Sequence, residues 1–428
     1  MVWTCRLLLL AFPLHSALSQ SCASIETAAS TPVSLDHKST LWLLQKRAER
    51  LASESLERNV VVKEKVTAAE DVEEGDRNGA GVIKRICWRH KVLPNVFVLG
   101  AQKAGTSFMA DVLRASGVVN VQDYAPKINR YKKEWHFFDK AMWLRRKGQW
   151  NFQSVAKAWY GSFPDCGTKV WRSHRTERSV SLQSASLRLA DFTPVNLCLT
   201  NPGHWYGSRI PVAIQSTRFN ATAIDLPLTL SHLYGAASGQ VRFIVQLREP
   251  LARMQSAWYM HGRQGKGRRF PKFRQELRFV LKQWSNSIID EGLWRGLYGR
   301  QLQAWFVHFH ASQFSIIPYR YMNSLHYDTA VVCRAIAGHL KHPLRCSHFK
   351  RLARTFTKRS GKSHHPSLET DVPPDLLSQV WDKLSNETKL LEAALKHAHQ
   401  RGAVMPYLHP GVKAELLQTV RTWLQRGW

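Results

Sequence analysis

The stretch Val96–Leu113, VFVLGAQKAGTSFMADVL, decides how this chain is read. Val96–Leu99 are apolar without interruption and run into Gly100, the pattern of a parallel strand buried on both faces. From Thr106 to Ser116 the pattern turns helical. A strand, a short loop and a helix N-terminus aim several backbone N–H groups at one point, which is a ready anion site. Gly105 lets the backbone approach a ligand closely, Ala104 precedes it, and Thr106 and Ser107 add hydroxyl donors. Gly100 and Gly105 have the spacing of a G-x-x-x-x-G-K-[ST] loop, but Thr106 stands where the lysine belongs and Lys103 lies inside the loop. No Walker B pattern is evident. The loop therefore suits a phosphate group handled without a metal, with Lys103 reaching a bridging or leaving oxygen. An ordinary strand-turn-helix without a ligand is the alternative.

Working outward, Val241–Leu247 (VRFIVQL) reads as a second buried strand and Ser315–Pro318 as a third. Helical periodicity runs from Leu251, over Gly299–His308 and over Pro374–His399. Strands alternating with helices predict an α/β class, a mainly parallel sheet with helices on both faces. In LREPLARMQSAWYMH, Leu247–His261, Arg248 leaves a strand end, where open α/β sheets bind ligands. Pro250 fits a first helical turn, with Ser256 farther along. An arginine and a serine hydroxyl suit a terminal phosphate. A strand-end salt bridge and an ordinary helix serine are the other reading.

The chain has 428 residues, 44% apolar and 11% aromatic, so it can bury a large core. Its formal net charge of +30 calls for a polyanionic partner: nucleic acid, an acidic membrane surface or an acidic polysaccharide. MVWTCRLLLLAFPLHSALSQ, with Arg6, an apolar run and small residues near Ser19, reads as a signal peptide or short signal-anchor over residues 1–20. The run is short of the roughly 20 residues that a spanning helix needs. Residues 21–90 then read as a partly helical stem or linker, and 91–428 as the catalytic domain. Seven cysteines suit an oxidising compartment; Cys333–Cys346 is the first expected disulfide and Cys166–Cys198 the second. No cysteine or histidine spacing reads as a metal site, and His364-His365 reads as a solvated pair. Asn220-Ala221-Thr222 and Asn386-Glu387-Thr388 are sequons.

GAQKAGTS followed far downstream by R-x-P-x-x-R-x-x-S resembles the sulfotransferases that use 3′-phosphoadenosine 5′-phosphosulfate (PAPS). The resemblance implies a P-loop-like sulfotransferase fold. It implies that Lys103, Ala104, Gly105, Thr106 and Ser107 cradle the 5′-phosphosulfate, and that Arg248 and Ser256 hold the 3′-phosphate. KKEWHFFD, Lys132–Asp139, is similar to the K-E-x-H-F-F-D segment of Golgi carbohydrate sulfotransferases of the heparan sulfate type. In an extended segment Glu134 and His136 share one face, with Trp135 and Phe137 opposite. The resemblance makes Glu134 the general base and His136 the competing candidate; a solvated pair is the reading without it. FTPVNL, Phe192–Leu197, is similar to a Ser/Thr-Pro-x-Tyr element with Asn196 in place of the tyrosine. GLYGRQLQAWFVHFHASQFSII is similar to the family's G-x-Y-x-x-x-L-x-x-W helix and next strand. KRSGKSHHP, Lys358–Pro366, loosely matches a nucleotide-closing K-G-R-x-H/Y-P loop and assigns Arg359, Gly361 and Lys362 to PAPS.

Between these motifs the chain departs from the family pattern. Trp171–Leu189 and Asn201–Phe219 carry Arg172, Arg175, Arg178, Arg209 and Arg218, and His261–Arg274 is a glycine-rich basic loop. Such a rim would steer an anionic glycan; a solvated loop is the bland reading. The expectation is sulfuryl transfer from PAPS, without a metal, to a hydroxyl or amine of an anionic carbohydrate, in the secretory lumen, Golgi-retained or secreted. Nucleic acid is not the expected partner, and membrane anchoring would run through the N-terminal segment. A basic polyanion-binding protein without catalysis and a divergent P-loop kinase are the rivals.

Overall fold

A computed structural model of the chain describes residues 85–124, 134–140, 152–173, 179–183, 187–200, 213–215, 225–263, 270–285, 288–323, 329–360 and 366–405. The described part opens on a hairpin, Ile86–Trp88 (β1) with Lys91–Leu93 (β2), paired antiparallel. Val96–Gly100 (β3) follows, every residue buried, then the helix Thr106–Ala115 and Val119–Asn120 (β4). Val170–Arg172 (β5) and Ser179–Ser181 (β6) pair as a small antiparallel ribbon. Leu189–Asp191 (β7) returns to the main sheet. Ala213–Gln215 (β8) lies parallel to Ile288–Asp290 (β10). Arg242–Leu247 (β9) and Phe314–Pro318 (β11) complete the set.

The central sheet has the order β11-β9-β3-β7-β4 and is parallel throughout. It is flanked by helices, so the expected α/β class holds. The order also fixes where a ligand belongs. From β3 the chain builds β4 and β7 on one side, then crosses to β9 and β11 on the other. The C-terminal ends of β3 and β9 therefore flank a topological switch point, the place where open parallel sheets form a binding crevice.

Unbroken apolar runs explain the three inner strands, since both faces of a parallel sheet are covered. Phe243 of β9 shows how a face is filled. Its ring stacks on Phe314 at 4.7 Å and meets Phe309 edge-on at 4.7 Å and Trp305 at 5.1 Å. That packing seats the helix Tyr298–His308 on the sheet. Behind it lies the long helix Pro374–Gln400, joined by Arg300 Nε to both carboxylate oxygens of buried Glu387, at 2.8 and 2.6 Å. The two helices approach closely because residue 299 is glycine.

Three expectations are corrected. Cys166 pairs with Cys87, not with Cys198. Cys198 is buried, and its Sγ donates to the Val195 carbonyl. The pairing ties the β1–β2 hairpin to the segment after the helix Phe152–Tyr160. Ile86 is core, so the folded unit begins before residue 91. Lys358–Ser360 end the helix Cys346–Ser360 instead of opening a loop. The Cys333–Cys346 disulfide is present as expected. Two disulfides fit an oxidising, secretory or lumenal compartment. The Asn386 sequon sits within a helix, with buried Thr388 donating its hydroxyl to the Leu384 carbonyl. The N-terminal segment, residues 1–84, the Asn220 sequon, Gly361, Lys362, His364-His365, Arg175, Arg178, Arg209, Arg218 and residues 264–269 of the glycine-rich basic loop lie outside the described residues.

A Cβ at position 299 would come 2.5 Å from the Leu391 amide nitrogen and 2.8 Å from the Leu390 carbonyl carbon, both backbone. Gly299→Ala should therefore lower stability to chemical denaturation by about 1–3 kcal/mol through overpacking. An unchanged midpoint would show that the two helices can separate at no cost.

Candidate active site at the C-terminal ends of the sheet

Each of the four adjacent strands β7, β3, β9 and β11 delivers one part of the site at its C-terminal end. β3 delivers the loop. Gly100 has φ 143°, and a Cβ there would collide with the carbonyl oxygen of Pro194 and press on Leu197 Cβ. Glycine at this position thus lets the FTPVNL segment close against the strand exit. Gly105 has φ 91° and forms the N-cap of the helix Thr106–Ala115. A Cβ there would come within 3.1 Å of Met322 Cε and 3.3 Å of the Tyr319 ring.

The helix N-terminus has the chemistry of an anion site. No side chain caps it and its first turn holds no acidic residue. Among the described residues, no protein group accepts from the amides of Gly105 and Thr106. The first N–H groups of a helix have no intrahelical partner, and the helix dipole adds a partial positive charge there. Thr106 is buried and Ser107 exposed at this end.

β9 delivers Arg248. Its Nη1 donates to the Lys103 carbonyl at 3.0 Å, and its guanidinium lies 4.8 Å from the centre of the Tyr319 ring. Tyr319 is the first residue past β11, held by its amide on the Leu247 carbonyl at 2.7 Å. Lys103 has φ 70° and sends Nζ to the Met260 sulfur at 3.6 Å. Met260 lies one turn beyond Ser256 on the helix Pro250–Arg263. The first two sequence motifs therefore meet: the Lys103 carbonyl is held by Arg248, and the Lys103 ammonium reaches the helix that carries Ser256. Ser256 itself is buried.

Two more arginines concentrate charge here. Arg295 Nη1 donates to Gln102 Oε1 in the loop at 2.5 Å. Arg253 is fully buried and donates to the Gly292 carbonyl; burial pushes its pKa down, with Arg295 and Arg248 adding to the effect. Glu249 sits among them. Its carboxylate accepts from the Leu251 amide at 2.7 Å and from Ala252, capping the Pro250–Arg263 helix. Burial raises its pKa to about 7 against these bonds and the nearby arginines.

β7 delivers the residues that hold the Glu134–His136 segment. Glu134 Oε2 lies 2.8 Å from His136 Nε2, so the two side chains do share a face. Trp135 and Phe137 are buried. With Phe138, Trp159 and Phe163 they form an aromatic cluster with ring centres about 5 Å apart. His136 has φ 58°, and its backbone N–H donates to Thr193 Oγ1 at 3.0 Å. Thr193 in turn donates to Asp191 Oδ1 at 2.6 Å, and Asn196 Nδ2 donates to Asp191 Oδ2 at 3.1 Å. Asp191 ends β7 and is fully buried; burial raises its pKa, opposed by the bonds from Thr193 and Asn196 and by the charge of His136. Asn196, which replaces the expected tyrosine, is thus a partner of Asp191.

The structure brings together Lys103, Gly105, Thr106, Arg248 and the Ser256 helix, and separately Glu134 and His136. Arg359 lies in the last turn of its helix. Sequence reading missed Asp191, Thr193, Arg295 and Tyr319. Two of these carried a usable signal, because Asp191 and Tyr319 stand at the C-terminal ends of strands. No family model matches the chain, and no curated protein matches it. Among solved structures, the chain is similar to the crystal structure of a sulfotransferase from Alicyclobacillus acidocaldarius. The identity is 16%, the match covers 71% of this chain and 96% of that one, and the TM-score is 0.39.

Glu249 gives the site a pH signature. Its folded pKa of about 7 lies above the ordinary value of 4.5. The folded state thus holds the proton more tightly, and the resulting stabilisation is fully present below pH 4.5 and lost as pH rises through 7. Glu249→Gln cannot titrate, so the melting temperature of the wild type should fall relative to this variant between pH 5 and pH 7.5, roughly across the window between the two pKa values. A difference independent of pH would contradict the raised pKa.

Proposed function

We propose that this chain is a sulfotransferase that moves a sulfuryl group from PAPS to a hydroxyl or amine of an anionic carbohydrate in the secretory lumen. The observation that carries the proposal is the junction of Lys103, Arg248 and the Ser256 helix at the switch point. Two phosphate-binding motifs far apart in sequence would be juxtaposed by chance only rarely. A donor with a phosphate at each end needs them close.

In this reading the amides of Gly105 and Thr106 and the Lys103 ammonium hold the 5′ end of the donor. Arg248 and Ser256 hold its 3′-phosphate, and Arg359, Gly361 and Lys362 contact the nucleotide. The bound donor supplies an activated sulfuryl group. Lys103 stabilises negative charge growing on the departing phosphate oxygen, as preorganised donors do in other transfer sites. Glu134 takes the proton of the acceptor, and the bond from His136 orients its carboxylate. The aromatic cluster around Trp135 keeps that pair in place against Phe97 of β3 through Trp159.

Transfer of labelled sulfate from PAPS to a panel of glycosaminoglycans tests this. Glu134→Gln should lower turnover about 10²–10⁴-fold, with PAPS affinity retained. Lys103→Ala should lower it about 10²–10³-fold. Wild-type turnover in either variant would remove the role given to that residue. Arg248→Ala should erase most of the preference for 3′-phosphoadenosine 5′-phosphate (PAP) over adenosine 5′-phosphate, about 10- to 100-fold for a lost charge-assisted contact. An unchanged preference would place the 3′-phosphate elsewhere.

A further inference from the structure

The helix Cys346–Ser360 is not used by the chemistry above, yet its charge is one-sided. No aspartate or glutamate stands between Asp328 and Glu369. Phe349 and Ala353 turn inward, with Phe349 meeting Phe108 of the Thr106–Ala115 helix edge-on at 4.8 Å. Lys350, Arg351 and Arg354 are exposed on the outer face, one turn apart, and Arg345 is exposed just before the helix. Among the described residues none of these four cations is paired with a carboxylate. The disulfide from Cys346 to Cys333 fixes the first residue of this helix to the preceding one.

The helix also leads back to the candidate site. It ends at Ser360, and the chain is next described at Pro366, whose carbonyl accepts from Gln255 Nε2 at 3.2 Å. Gln255 adjoins Ser256, and its Nε2 also donates to Asp371 Oδ2 at 2.9 Å. Six residues extend at most about 20 Å, so the C-terminal end of this helix lies within that reach of Pro366, which is bonded to the helix carrying Ser256.

We infer that the outer face of this helix, centred on Lys350, Arg351 and Arg354, is a docking surface for a sulfated or carboxylated polysaccharide chain, separate from the transfer site. The inference rests on the sulfotransferase reading for its choice of polyanion. Charge complementarity selects an anionic chain. A membrane surface fits less well, because no large apolar side chain is exposed on the described part of the helix to enter a bilayer. Single-stranded nucleic acid fits less well, because among the described side chains of this helix the phenylalanine, Phe349, is buried and offers no stacking platform. An acceptor held on this face would stay bound between transfers, raising its effective concentration at the site.

The test uses the full chain and a fluorescently labelled heparin octasaccharide, with binding followed by anisotropy across a salt series. Lys350→Ser/Arg351→Ser/Arg354→Ser should weaken binding about tenfold and flatten the salt slope by about 2, as expected when two or three charge contacts are lost. A control, Lys157→Ser/Lys169→Ser/Lys383→Ser, removes the same net charge from other exposed positions and should leave the affinity within about twofold. Equal weakening by both variants, or none by the first, would overturn the docking surface. So would tighter binding of single-stranded DNA or phosphatidylserine vesicles than of heparin, lost in the first variant. Calorimetry with PAP separates the two proposals. If PAP fails to bind the wild type, the sulfotransferase reading falls, while a heparin defect confined to the first variant still supports the surface. Normal PAP binding in both variants with unaltered heparin binding removes the surface alone.

Discussion

The guanidinium of Arg248 on the carbonyl of Lys103 is the contact from which the rest of the site follows. It joins the exit of β9 to the loop after β3, across the point where the sheet changes direction. Neither side chain alone makes a nucleotide site. Together they set a cation beside a helix N-terminus where, among the described residues, no protein group accepts from the Gly105 and Thr106 amides. The two glycines serve the same contact. Gly100 lets the Pro194 segment close against the strand, and Gly105 lets Tyr319 and Met322 pack on the loop. Tyr319 then supports the guanidinium from below its face, an arrangement that holds a cation without neutralising it.

The same closure links the loop after β3 to the Glu134–His136 pair. Pro194 follows Thr193, which bonds both Asp191 and the backbone of His136. Anything that shifts β7 relative to β3 would shift the Glu134–His136 pair relative to the loop. Buried Asp191 collects two side-chain donors at the strand end, which hold Thr193 and Asn196 against it, while Asn196 Oδ1 has no partner among the described residues. The buried aromatic rings around Trp135 supply the apolar side of the same anchoring.

Much of this was legible in the sequence. Unbroken apolar runs named β3, β9 and β11, since buried parallel strands leave no polar face to confuse the pattern. The displaced lysine and the R-x-P-x-x-R-x-x-S spacing named two segments that meet at the switch point, and alternation in KKEWHFFD gave the shared face of Glu134 and His136. What was not legible depends on long-range pairing. Cys87, not Cys198, reaches Cys166, because the β1–β2 hairpin folds back onto Asp165 and Cys166. Arg295 meets Gln102 across 193 positions of sequence, a distance over which local pattern carries no information. Asn196 read as a departure and proved to be a hydrogen-bond partner of Asp191.

Isothermal calorimetry of the full-length chain with PAP, in buffer containing EDTA, tests the central claim most directly. The arrangement of Lys103, Arg248 and the open helix N-terminus predicts PAP binding at roughly micromolar affinity, worth about 8 kcal/mol, and much weaker binding of ATP. Absence of PAP binding, or tighter binding of ATP that appears only with magnesium, would contradict it.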